Sequence, residues 1–280
     1  MHREPDISSD RTRAAFSAVD AATDPEHLMR FLDDAAAAES GIKHYVAAAH
    51  ALRRPARPIL DLGCGAGHDL ALLAAFGMTA VGVDPSAVMM GATVQRAGGA
   101  RRLLVRAEGE YLPFADAVFS GCRIERVLMH VDEPRLVVTE ALRCVETGGL
   151  VTVFEPDWSR FEIRSEVLPD AAPWITVARH PDMGAELWGL LEGAGCEVLD
   201  RLEELSVWRS LATVERVAGF PRSVERAVAL GRLEPETARR WVEEQRRRDA
   251  EGSFRAVMPK ILVVAMKKAA PSASPVARVP

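Results

Sequence analysis

From residue 59 onward, short apolar runs alternate with amphipathic helical patterns. The runs Ile59–Leu62, Ala80–Val83, Leu103–Ala107, Ala117–Ile124 and Leu150–Phe154 are bounded by Gly, Pro or Asp and predict β-strands. Between them, Met90, Val94 and Ala97 recur at i, i+4 and i+7, as do Val138, Leu142 and Val145, the spacing of one helical face. Strands without polar alternation are buried on both faces. The pattern therefore implies a parallel sheet covered by helices, an α/β fold. Met183, Leu187, Leu190, Leu191 and Ala194 form a further helical stripe that stops at Gly195, a residue suited to the left-handed turn after a helix. A strand-like stretch follows from Cys196 to Trp208, then a helical segment, then the apolar run Ile261–Met266. This order predicts a last strand that pairs beside the previous one, with the helices as an insertion. The chain accordingly divides into a helical leader (1–54), an α/β core (55–209), a helical insertion (210–257), a final core strand (258–268) and a Pro/Ser/Ala-rich tail (269–280) of disordered composition.

With 280 residues and 48% apolar content, the chain can bury a sizeable core. A net charge of −5 argues against a nucleic-acid partner, whose phosphates select a basic face. Arg246–Arg248 are interleaved with Glu243, Glu244, Asp249 and Glu251, as on a solvated helix face. Cys64, Cys122, Cys144 and Cys196 lie far apart with no CxxC, so they read as buried hydrophobes and not as a metal site or disulfide framework. The opening MHREPDISSD has no apolar signal core and no run reaches membrane-spanning length, which together predict a cytoplasmic protein.

The chemistry concentrates in ILDLGCGAGHDL, residues 59–70. A strand, a turn with glycine at every second position and a helix start form a cradle in which backbone can approach a nucleotide-like ligand. Asp84, closing the strand AVGVD, is an acceptor-only group suited to both hydroxyls of a ribose. The spacing GxGxG departs from the GxGxxG of dinucleotide sites, and Asp61 beside the loop would repel a pyrophosphate. A nicotinamide-dependent oxidoreductase is thereby disfavoured. A ligand with a cationic amino group, such as S-adenosylmethionine, suits the loop better.

These stretches resemble the motifs of class I S-adenosylmethionine-dependent methyltransferases, in the branch similar to quinone-biosynthesis C-methyltransferases and natural-product methyltransferases. ILDLGCGAG is similar to the first motif and VGVDPSAVMM to the second. RAEGEYLPFADAVFSGCRIERVLMHVDEP resembles the third and fourth, and EALRCVETGGLVTVFEPDW the strand-five region. The resemblance covers about residues 28 to 268. It implies a Rossmann-like sheet of seven strands with the last antiparallel, N-terminal helices, and a helical cap between the last two strands. It also implies S-adenosylmethionine as cofactor, S-adenosylhomocysteine as product, and a small organic methyl acceptor of secondary or quinone-like metabolism. The alternatives are a non-methylating reaction such as cyclisation, and a ligand-sensing module without turnover. By the same resemblance Asp61, Gly63, Cys64, Gly65, Asp84 and Pro85 face the cofactor, and Glu108 stands where an aspartate usually receives the adenine amino group. Gly109 and Met89 would flank the adenine, Arg123 the methionine part, and Tyr45 would close over from the leader.

Methyl transfer displaces at an activated sulfonium carbon, so a protein mainly aligns the acceptor and, where a proton must leave, supplies a base. Such groups belong just beyond the fourth and fifth strands. His130 is the first candidate base, because an imidazole titrates near neutrality. Glu125 and Asp157 are the reserves, although Glu125 with Arg126 also reads as a structural ion pair. Glu155, Trp158 and Trp241 are the candidate substrate contacts. The last belongs with Trp158, Trp174, Trp208, Phe220 and Phe254 to an aromatic set that reads either as an apolar lid or as the cap's own core. The motifs specify neither the acceptor nor an oligomeric state.

Overall fold

A computed structural model of the chain describes residues 20, 25–97, 103–170 and 178–269; Trp174 and the tail beyond 269 lie outside these. Strand β1 (Ile59–Leu62) sits at the centre of the parallel part, between β2 (Ala80–Val83) and β4 (Phe119–Glu125). Strand β3 (Leu103–Val105) extends the sheet beyond β2, and β5 (Val145–Pro156) extends it beyond β4. Strand β8 (Ala256–Lys267) runs antiparallel to β5 on one side and to β7 (Cys196–Trp208) on the other. The chain steps outward from β1 to β3 and then returns to β4. That reversal opens a crevice at the carboxyl ends of β1 and β4, the usual ligand position in open α/β sheets.

Helices α1 (Pro25–Ala38) and α2 (Ser40–Leu52) precede the sheet. Helices α3 (His68–Ala75), α4 (Ala87–Arg96), α5 (Pro134–Cys144) and α6 (Met183–Gly193) connect its strands. Helices α7 (Leu211–Ala218), α8 (Arg222–Ala229) and α9 (Pro235–Ala250) form the insertion between β7 and β8. The antiparallel last strand and the inserted helices agree with the expectation. The strand count differs by one: a two-residue β6 (Glu162–Ile163) pairs with β8 after β5 has ended. Met183, Leu187, Leu190 and Leu191 are buried as the stripe predicts, and Gly195 adopts φ +93°.

Two helical faces need correction. Val145 begins β5 and does not end α5. On α4 the buried positions are Met89 and Thr93, while Val94 is 60% exposed. The cause is a polar residue at a core position. The Thr93 hydroxyl donates to the Gly65 carbonyl at 2.7 Å, and its methyl packs where a Cβ on Gly67 would stand 2.5 Å away.

The leader is part of the core. His50 of α2 is buried beside Gly121, where a Cβ would come within 2.9 Å of its Nδ1, and its Nε2 lies 3.1 Å from the Thr152 hydroxyl. All four cysteines are free and buried. Among the described residues no helix is long and apolar enough to cross a membrane.

Candidate active site

The chain leaves β1 through Gly63, Gly65 and Gly67, at φ +73°, +50° and +77°, a region that glycine enters without steric cost. The Gly63 and Cys64 amides donate to the Val83 carbonyl at 2.8 and 3.0 Å and tie the loop to β2. A Cβ on Gly63 would stand 2.2 Å from Val127 Cγ2, whereas one on Gly65 would meet nothing within 4 Å. Gly65 therefore borders open space. Asp84 accepts from the Gly65 amide at 3.0 Å and the Ser86 amide at 2.9 Å, and burial raises its pKa. Ser86 caps α4 by accepting from the Met89 amide at 3.1 Å. Met89 packs against Met29 and Leu32 of α1.

A cavity of about 1,210 Å³ opens from this loop. One end is lined by Gly63, Cys64, Gly65, Asp84, Pro85 and Met89, with Glu108 and Gly109 beside them. The other end is lined by Met129, His130, Trp158, Trp208, Val217 and Met258. Between them lies a charged floor. Arg123 Nη1 stands 3.1 Å from Asp61 and 2.9 Å from Asp69, and Arg123 also pairs with Glu125. Lys43 of α2 joins Asp69 at 3.0 Å and Glu125 as well. Arg126, at φ +54°, bridges Glu125 and Glu39 at 3.2 Å each, and Lys260 pairs with the same Glu39. Burial works against charge on Glu125, yet Arg123, Lys43 and Arg126 hold its carboxyl well below the usual range. Burial and then the Arg126 charge push the His130 imidazole down to about 4, so its ring is neutral at physiological pH.

A family profile described as a methyltransferase domain matches residues 60–153, the segment that carries the glycine loop, Asp84 and the β4 turn. The chain carries a class I methyltransferase domain. An uncharacterized methyltransferase of Mycobacterium leprae is 37% identical over 106 residues, covering 36% of this chain and 38% of its own length. A 37.1 kDa protein encoded in transposon Tn4556 of Streptomyces fradiae is 31% identical over 221 residues, covering 76% of this chain. The chain spans 63% of that relative's length. A putative methyltransferase of Bacillus halodurans shares the fold, with a TM-score of 0.57 at 17% identity over 79% of this chain and 98% of that one.

Class I methyltransferases use S-adenosylmethionine, and the residues of this cavity fit its adenosyl part. Gly65 leaves room for a ligand against backbone, and Asp84 presents a carboxylate in which each oxygen has accepted a single hydrogen bond. Glu108 adds a second acid group at the same end.

Several sequence-predicted residues lie elsewhere. Tyr45 is 43% exposed and gives its hydroxyl to Asp200 of β7, at 3.3 Å, so it does not reach the cavity of the methyltransferase domain. Asp61 is buried behind the loop with Arg123. Glu125, clamped by three cations, cannot serve as a base at neutral pH. Asp157 is fully buried, bonds Ser159 and Arg160, and packs its backbone against Gly184. Glu155 is fully buried beneath the turn after β4. Trp241 is also fully buried, edge-on to Phe220 at 5.3 Å, inside the insertion. His130 and Trp158 do line the cavity. Sequence reasoning missed Lys43, Asp69, Met258 and the Arg216–Val217 pair of α7 as wall residues. Asp69 had a visible signal, standing two residues after the glycine loop; the others belong to no local motif.

Proposed function

We propose that this chain transfers a methyl group from S-adenosylmethionine to a small, largely apolar organic acceptor, with His130 receiving the acceptor's proton. One observation carries the reading: a continuous cavity joins the glycine loop and Asp84 to an aromatic compartment containing His130. The family profile and the methyltransferase names of the mycobacterial relatives support the reaction type.

When bound, S-adenosylmethionine supplies a methyl group already activated on a sulfonium. The Asp84 carboxylate has lone pairs left for a vicinal diol. Trp158, Trp208, Val217 and Met258 exclude water and align an apolar acceptor. His130, neutral at physiological pH, is free of charge to take a proton at a ring nitrogen. A base held so low works best with an acceptor whose proton is already acidic, a phenol or an activated carbon, in preference to an alcohol. The motif resemblance to quinone-type methyltransferases points the same way. Free, buried cysteines accord with action in a reducing cytoplasm.

The test is to incubate the pure protein with methyl-labelled S-adenosylmethionine and metabolite extract of the source cell. A labelled small molecule should form together with an equal amount of S-adenosylhomocysteine. Tight S-adenosylhomocysteine binding with no labelled product would sink the reading, and an unlabelled rearranged product would replace methylation with another reaction.

A further inference from the structure

The turn after β4 carries His130, and it is pinned from two sides. His130 N closes on the Val127 carbonyl at 2.9 Å, and behind it the Arg179 and His180 amides donate to the Met129 carbonyl at 2.9 and 3.1 Å. In front, the consecutive amides of Val127 and Leu128 both donate to Glu155 Oε1, at 2.8 and 2.7 Å. Glu155 is fully buried near the end of β5, opposite Ile261 of β8, and its Oε2 has no hydrogen-bond partner among the described residues. An apolar side chain would fill that space at less desolvation cost but would leave two buried N–H groups unmet.

We propose that Glu155 is a positioning residue, holding the Val127–His130 turn so that the His130 imidazole stands on the cavity wall. Its catalytic consequence rests on the reading of His130 as the base; the positioning itself does not. Burial raises the Glu155 carboxyl to about 8, against the pull of the Leu128 and Val127 amides and of Arg126. A neutral acid at physiological pH explains why one oxygen takes both donors. The same turn backs the cofactor end, since the Val127 side chain occupies the space that Gly63 leaves.

The test compares Glu155→Gln with Glu155→Leu in the full chain. The readouts are amide hydrogen exchange at Val127 and Leu128 and the ¹⁵N spectrum of the His130 ring. Gln keeps the carbonyl acceptor, so protection should stay within about threefold of wild type and the ring signals should not move. Leu removes both bonds, so protection should fall about tenfold or more and the ring signals should shift. Affinity for S-adenosylhomocysteine should stay within about threefold in both, because the Asp84 contacts are untouched. Wild-type protection and ring signals in a folded Glu155→Leu would overturn the proposal. Should Leu fail to fold, lost protection in a folded Glu155→Gln would overturn it equally. A loosened turn in Glu155→Leu, alongside full methyl transfer by His130→Ala, would keep the positioning role and remove the base.

Discussion

The glycine-loop end of the cavity and its acceptor end are assembled from different kinds of sequence. The first comes almost whole from one strand–turn–helix–strand passage, Ile59 to Met89, with Glu108 and Gly109 added from the segment after β3. Its ligand contacts are backbone conformations and a carboxylate at a strand end, which a short motif can encode. The second end is gathered from the β4 turn, the residue after β5, the end of β7, helix α7 and the start of β8. No local pattern joins Met129, Trp158, Trp208, Val217 and Met258. A shared cofactor is written in one continuous passage, and the acceptor site is spread over loops and an insertion that can vary separately.

If the two ends are separable, substitutions should sort by end. The largest effect is expected at His130. His130→Ala should slow the chemical step about 10²–10⁴-fold in single-turnover experiments on the identified acceptor. A wild-type rate would leave alignment alone as the contribution of the acceptor end.

Trp241→Ala sharpens the comparison from outside both ends. A fully buried tryptophan stacked edge-on to Phe220 should cost about 3–5 kcal/mol of stability, read from denaturant unfolding. The folded fraction should bind acceptor and cofactor as wild type does. An unchanged unfolding midpoint with altered acceptor binding would return Trp241 to the cavity wall.

A smaller effect is expected from Val217→Ala on α7. Removing two methyl carbons from the acceptor wall should raise the acceptor KM about fivefold to tenfold, with cofactor affinity unchanged. Equal losses for both ligands would merge the two ends into one.

The smallest effect concerns pH. His130 is held at about 4 in the folded protein against 6.5 for the ordinary group. Between those values the unfolded chain binds the proton that the folded chain refuses, so stability falls as pH drops from 6.5 towards 4. The difference should show as a shallower loss in His130→Gln than in wild type, measured as unfolding midpoint against pH. By the same shift, any rate limb due to His130 should lie near pH 4 and leave the rate flat from about pH 6 to 8. Parallel stability curves for the two proteins, or a limb in the ordinary histidine range, would contradict the buried environment described for the ring.

How far the sequence could be read follows from the same contrast. The strand order, the antiparallel last strand and the inserted helices were legible because apolar runs and helical stripes carry them. The buried face of α4 was not, because Thr93 earns its core position through a hydrogen bond to Gly65, which a hydrophobicity pattern cannot register. The charged residues misled for a related reason. Glu125, Asp157 and Glu155 stand beside strand ends where catalytic acids are found, but clamping cations, a local turn and a pair of backbone amides respectively occupy them. A sequence shows that a carboxylate is present near an edge; only packing shows what already holds it. Trp241 and Tyr45 repeat the lesson for aromatics, one turned into the insertion's core and the other outward to Asp200.

The most direct test of the two-ended cavity is one calorimetric comparison, the affinity of Asp84→Ala and His130→Ala for S-adenosylhomocysteine. Losing two hydrogen bonds to a charged group, at about 1.5–3 kcal/mol each, should weaken Asp84→Ala by at least ~100-fold. His130→Ala should remain within about threefold of wild type. Near-native affinity in a folded Asp84→Ala, or an equal loss in both variants, would contradict the account.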